Sequence, residues 1–238
     1  MNAEQIFDEL VVKDKILSQI GQITFHLDNV SLIIKQKDVV GNIIQEWLQA
    51  WFEKKGIPYA LNSNTQMPPD FYLIPENKKA GLLEIKAFNY KASPGFDIAD
   101  FKSFEKTIIE QPELLFTDYL IFGYEMKANG DVVIKNVWLK KVWELTSPMK
   151  DWPIKLQVKN SVVHKIRPAK WYSKKLNKPI FKSLEHFLSA LEETVFKDND
   201  THNDFPTWRN NFVKNYKKVY NTNINIPKWC DIEKEYDI

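Results

Sequence analysis

"PPDFYLIPENKKAGLLEIKAFNY" (residues 68–90) decides how this chain is read. Two runs have strand character, FYLI (71–74) and GLLEIKAF (81–88), and the turn-forming PENKKA (75–80) joins them. An antiparallel hairpin centred on Asn77 sets Tyr72 opposite Leu82 and Asp70 opposite Glu84. Strand alternation then puts Leu83, Ile85 and Ala87 on an apolar face, and Glu84 with Lys86 on the other. A longer turn would shift this register.

Directly opposed side chains lie about 5 Å apart, where two carboxylates repel. A divalent cation removes the conflict, and oxygen ligands that leave water positions open suit magnesium. A lysine beside such a pair can orient or help deprotonate a water for attack on a phosphodiester. The same residues also describe the solvent face of an edge strand, because an acid followed by E-x-K is common in charged sequences.

The flanking sequence supplies context. "DVVGNIIQEWLQAWFEKKG" (38–56) has a clear helical period, with Ile43, Ile44, Trp47, Leu48, Trp51 and Phe52 on one broad face. Asp38 is the expected N-cap and Gly56 the expected residue past the C-terminus. Glu46 falls at the border of the apolar stripe. Helices are also expected over 3–20, 100–111, 182–196 and 205–220, and strands over 118–126 and 131–145 about an Asn-Gly turn. This order predicts an α/β (α+β) chain with a central mixed β-sheet flanked by helices.

With 238 residues, 44% hydrophobic and 27% charged, the chain can bury a core. It has no GxGxxG and no GxxxxGK[ST], so no nucleotide cofactor is expected. A single cysteine, Cys230, excludes an intramolecular disulfide. No apolar run reaches membrane-spanning length, and "MNAEQIFDEL" carries acids where a signal peptide is basic. A cytoplasmic protein with no membrane partner is the expectation.

Net charge is only +2, but its distribution is uneven. No acid occurs between Asp151 and Glu185, an interval holding Lys155, Lys159, Lys165, Arg167, Lys170, Lys174, Lys175, Lys178 and Lys182. Such a segment can meet a polyanion, with lysines on phosphates and Arg167 on a base edge. Trp171 and Tyr172 within it are read as core. Lys91 and Ser93 lie in a second loop suited to DNA contact, "NYKASPGFDIAD" (89–100), and the polar residues 62–66 read equally as a groove-entering loop or a plain polar connector.

Taken with these residues, "PD" at one strand and "EIK" in the next resemble the PD-(D/E)xK nuclease superfamily. The hairpin is similar to that of type II restriction endonucleases of the EcoRV kind. "DYLIFGYEM…DVVIKNVWLKKVWELT" resembles restriction enzymes of the NgoBV/NlaIV type. The resemblance implies that Asp70 and Glu84 ligate the metal with the carbonyl of Ile85, and that Lys86 positions or activates the attacking water. It implies that Glu46 is the helix acid, behind the ligands or on another metal. The implied reaction is Mg²⁺-dependent cleavage of double-stranded DNA at a specific site, with Mn²⁺ able to substitute, leaving 5′-phosphate ends. A homodimer would match a palindromic site. The single restriction-endonuclease-like domain (1–238) would comprise a mainly catalytic core (1–150) and a basic, helical DNA-contacting part (151–238). A structure-specific or repair nuclease, or a DNA-binding module with a nuclease-like core, are the other readings of the same motif.

Overall fold

The computed structural model describes residues 1–64, 67–174, 178–198 and 205–237. Contacts divide the chain into two units: Met1–Phe96 with Thr117–Lys140, and Asp97–Phe116 with Lys141–Ile238.

The first unit begins with helix α1 (Ala3–Asp8), capped by Asn2 and continued by a π-helical turn (Glu9–Lys13). A helix running to residue 20 is not formed. Lys15 turns left-handed, Ile16–Ser18 make one 3₁₀ turn, and strand β1 (Ile20–Gln22) follows. Tertiary contacts override the local pattern here. Trp51 and Lys55 hydrogen-bond Asp14 at 2.8 and 2.7 Å, and Ile20 pairs with Val133 in the sheet.

Strands β2 (Thr24–Leu27) and β3 (Val30–Ile33) form a separate two-stranded hairpin. Helix α2 (Val40–Lys55) ends as expected, with Gly56 left-handed. Its N-cap is Val39, not Asp38, and no side chain caps it. Strands β4 (Ala60–Leu61), β5 (Phe71–Tyr72) and β6 (Leu82–Asn89) follow. Within the second unit the chain forms β7 (Ala99–Asp100) and α3 (Phe101–Glu110) before returning to the first. Strands β8 (Asp118–Met126) and β9 (Asp131–Lys140) complete the first unit. β9 stops five residues before the expected end, where Val142–Glu144 form a 3₁₀ turn instead.

The sheet order is β1-β9-β8-β6-β5-β4, with β6 and β8 parallel and the other neighbours antiparallel. This is the mixed sheet the sequence predicts. Its core face is built by Phe71, Leu83, Ile85, Leu120 and Phe122 against Leu10 of the N-terminal helical segment and Ile44, Leu48 and Phe52 of α2. Residues 40, 44, 48 and 52 recur every four positions and so form one buried stripe. Each such apolar side chain contributes about 1.5–3 kcal/mol on burial. The predicted stripe is narrower than its six residues. Ile43 and Trp47 stay 40% and 42% exposed beside an open apolar cleft shared with Ile20 and Ile134.

The second unit contains a three-stranded sheet, β10 (Leu156–Lys159), β11 (Val162–Ile166) and β7, with helices α4 (Leu184–Lys197), α5 (Phe205–Tyr220) and α6 (Trp229–Ile232). Trp208 Nε1 of α5 donates to the Glu105 carbonyl of α3 at 3.1 Å. Arg209 grips Glu192 of α4 with two donors and the Ile226 carbonyl with a third at 3.0 Å.

Candidate active site on the β5–β6 hairpin

The hairpin register is the one read from the sequence: Phe71 faces Leu83 and Tyr72 faces Leu82. Leu73 N–H donates to the Gly81 carbonyl at 2.8 Å, which extends the same register into the turn. β5 is only two residues long, so Asp70 stands just before it. Its side chain continues the pairing where the backbone stops: Ile85 N–H donates to Asp70 Oδ2 at 2.7 Å. Alternation along β6 aims the backbone groups of Leu83 and Ile85 at the same side. The Ile85 carbonyl therefore faces the Asp70 side of β6, past the first residue of β5.

Glu84 and Lys86 share the face opposite the apolar core, with Tyr119 and Ile121 as their neighbours on β8. Glu84 is buried, at 6% exposure. Its Oε1 lies 2.7 Å from Lys86 Nζ, while its Oε2 is buried without a hydrogen-bond partner. Burial raises its carboxyl to about 7; Lys86 opposes the shift and the Asp70 charge adds to it. Burial also raises Asp70, against the Ile85 amide, the Lys86 charge and a hydrogen bond from Gln45. The buried Tyr119 hydroxyl has no hydrogen-bond partner either, and burial with the charges of Glu84 and Asp70 raises its pKa.

The helix contributes a residue that the sequence does not single out. Gln45 Nε2 donates to Asp70 Oδ1 at 2.9 Å. Glu46, the expected helix acid, is exposed one position further on and hydrogen-bonds neither Asp70 nor Glu84 among the described contacts. Gln45 adjoins the stripe residue Ile44, but Glu46 borders the same stripe, and an amide does not look like part of a metal site.

The donor set fits a hard divalent cation. Asp70, Glu84 and the Ile85 carbonyl offer oxygen only, and the buried, partnerless Glu84 Oε2 is an acceptor that such an ion would satisfy. Among the described residues no group of three or more His, Cys, Asp or Glu side chains could hold a metal, so the carboxylates available are these two.

The basic residues fall elsewhere on the chain. Lys91 pairs with Glu125 at 2.5 Å, and Ser93 is exposed. Lys155, Lys159 and Lys165 lie on or beside the β10–β11 hairpin. Acids from other parts of the sequence meet this segment: Asp100 pairs with Lys165 at 3.3 Å, Asp97 with Arg167, Asp237 with Lys178 and Glu235 with Lys182. Arg167, expected on a base edge, is thus held by Asp97. Lys155 is half-buried, and burial with the nearby Arg167 and Lys170 lowers its pKa. Lys159, Lys170 and Lys174 are exposed, while Lys175 lies outside the described residues, as do Thr65 and Gln66 of the polar loop. Trp171 and Tyr172 are half-buried and stack edge to face.

A mixed sheet with an acid, an acid and a lysine gathered on one hairpin is the arrangement expected of a restriction-type endonuclease. The comparisons give the family: the chain belongs to the NgoBV restriction endonuclease family, whose model matches residues 1–236. It is 54% identical over 237 residues to the type II restriction enzyme NlaIV of Neisseria lactamica, covering 99% of this chain and 98% of that protein. It is 50% identical over 161 residues to the type II restriction enzyme NgoBV of Neisseria gonorrhoeae, covering 68% of this chain and 91% of that protein. A solved structure of the NlaIV restriction endonuclease matches with a TM-score of 0.97 at 54% identity, covering 100% of this chain and 97% of that one. The chain is accordingly a type II, site-specific endonuclease with the fold of that structure.

Proposed function

We propose that this enzyme hydrolyses phosphodiesters of double-stranded DNA with Mg²⁺, using Asp70, Glu84 and Lys86, and leaves 5′-phosphate and 3′-hydroxyl ends. The observation that carries this reading is the buried, partnerless oxygen of Glu84 beside the Asp70 carboxylate. Asp70, Glu84 and the Ile85 carbonyl would hold the cation, which when bound polarises the phosphate and offsets its negative charge. Asp70 is fixed for this task by donors on both oxygens. Glu84 commits one oxygen to Lys86 and keeps the other available. Lys86, tied to Glu84 yet partly exposed, orients the attacking water and balances charge that builds on the phosphate oxygens. The water oxygen bonds to phosphorus and releases a proton to solvent as the bond to O3′ breaks, and the 3′ oxygen takes up a proton from solvent, giving the 5′-phosphate and the 3′-hydroxyl.

The acting form is a homodimer, one site for each strand of a palindrome. The β2–β3 hairpin supports this reading, because Phe25, Leu27, Val30 and Leu32 are all exposed and an isolated two-stranded hairpin is marginal in water. Sedimentation equilibrium is expected to give twice the 28.1 kDa chain mass, and a monomer would contradict it. For the chemistry, a plasmid panel is digested with Mg²⁺, Mn²⁺ or EDTA and the ends are mapped. Discrete fragments with 5′-phosphates are expected with either metal and none with EDTA. Cleavage that persists in EDTA sinks the metal-dependent reading.

A further inference from the structure

The helix beside the two carboxylates presents an amide where an acid was expected, and this bears on how many cations the site takes. We infer that each chain holds a single divalent cation, and that Gln45 is the positioning residue that fixes Asp70 for it and sets that number. The inference rests on Asp70 and Glu84 being the ligands.

Three observations converge. Sites that hold two cations clamp both reacting oxygens and need carboxylates enough for both ions. Here the described residues offer Asp70 and Glu84 and no third His, Cys, Asp or Glu in a metal-holding group. Glu46 is exposed, and one helical position turns it about 100° from Gln45.

Second, Gln45 acts as a donor. Its Nε2 takes Asp70 Oδ1 at 2.9 Å while Ile85 N–H takes Oδ2 at 2.7 Å, so each oxygen keeps lone-pair capacity for one ion. A carboxylate at position 45 would repel Asp70 and would call for a second cation between them.

Third, the charges match one ion. Asp70, Glu84 and Lys86 carry one net negative charge when ionised. One divalent cation converts this to a single positive charge, which a phosphodiester neutralises. A second cation would leave two uncompensated positive charges in a largely buried site.

Mn²⁺ titration of the full-length protein without DNA, with free Mn²⁺ read by electron paramagnetic resonance, tests this directly. The wild type is expected to bind one Mn²⁺ per chain and Gln45→Glu two. Gln45→Ala is expected to bind one, with the dissociation constant raised about tenfold, as for other residues that orient a metal ligand. Circular dichroism melts confirm that each variant is folded. Two Mn²⁺ on the wild type, a Gln45→Glu count still at one, or unchanged affinity in Gln45→Ala overturns the inference. Asp70→Asn and Glu84→Gln run alongside: if both bind Mn²⁺ as the wild type does, the ligand assignment itself has failed. If they lose Mn²⁺ while the Gln45 variants behave like wild type, only the role of Gln45 has failed.

Discussion

Glu84 sits in the sheet with its carboxyl raised to about 7 from an ordinary 4.5, chiefly by burial. A carboxyl raised on folding costs stability, and the sign follows from proton binding. Below about pH 4.5 the group is protonated in folded and unfolded chains alike, and nothing is lost. Between there and pH 7 the unfolded chain releases its proton first, so stability falls as pH rises; above pH 7 the full cost is present. Glu84→Gln, measured in EDTA by urea denaturation, is therefore expected to stabilise the protein by about 1–3 kcal/mol at pH 8 and to have little effect near pH 4.5. Destabilisation at pH 8 would mean that the Lys86 pair outweighs the burial cost. The placement of Asp70, Glu84 and Lys86 was legible because a strand has a period of two and the turn is centred on Asn77, so opposition and facing follow from numbering. Gln45 was not. Positions 45 and 46 both border the apolar stripe, and which one meets Asp70 depends on the rotation of α2 against the sheet, which the buried residues 40, 44, 48, 51 and 52 fix in three dimensions.

The strands that carry the site depend on close packing around Gly123, where β8 shifts register against β9. A Cβ there would lie 2.8 Å from Tyr90 and 3.0 Å from Trp138, whose rings stack at 6.1 Å. Gly123→Ala is expected to destabilise by about 1–3 kcal/mol through overpacking, read as a fall in the urea midpoint at constant slope. An unchanged midpoint would show that the two rings can part without cost. The buried elements were readable: α2 has the period its buried stripe imposes, and β6 and β8, buried along most of their length, stand out as apolar and aromatic runs. Two hairpins were not. β2–β3 alternates, with Phe25, Leu27, Val30 and Leu32 on one face, but each strand is only four residues long and its turn is Asp28–Asn29, with Asp28 at φ 49°, and not Asn-Gly. β10–β11 is dense in lysine and valine, and its turn uses Asn160 and Ser161, both at positive φ, in place of the more telling Asn-Gly. The first helix was overestimated for the converse reason: Ile16, Leu17 and Ile20 continue a helical period, but the edge of β9 recruits the chain as a strand.

Charge is where the one-dimensional reading misleads most. The interval 152–184 contains no acid, yet Asp97, Asp100, Glu235 and Asp237 are brought to it by the fold. Exposed lysines without such a partner among the described residues, Lys159, Lys170 and Lys174, are the better candidates for phosphate contact. Each changed to Ala is expected to lower the slope of log K against log salt for duplex binding by about 0.9, with a uniform loss of affinity across sequences. Fluorescence anisotropy over a salt series reads both, and an unchanged slope removes that lysine from the interface. Among the described residues no helix is long and apolar enough to cross a membrane. The measurement that bears most directly on the enzyme is single-turnover cleavage of a plasmid carrying its site by the wild type, Asp70→Asn, Glu84→Gln and Lys86→Ala, with duplex binding measured in parallel. The arrangement of the hairpin predicts that each variant binds DNA and loses at least about a hundredfold in cleavage rate, the scale of a lost charge-stabilising group. Cleavage at near wild-type rate by any of the three would contradict the role assigned to that residue, and by all three would place the active site elsewhere.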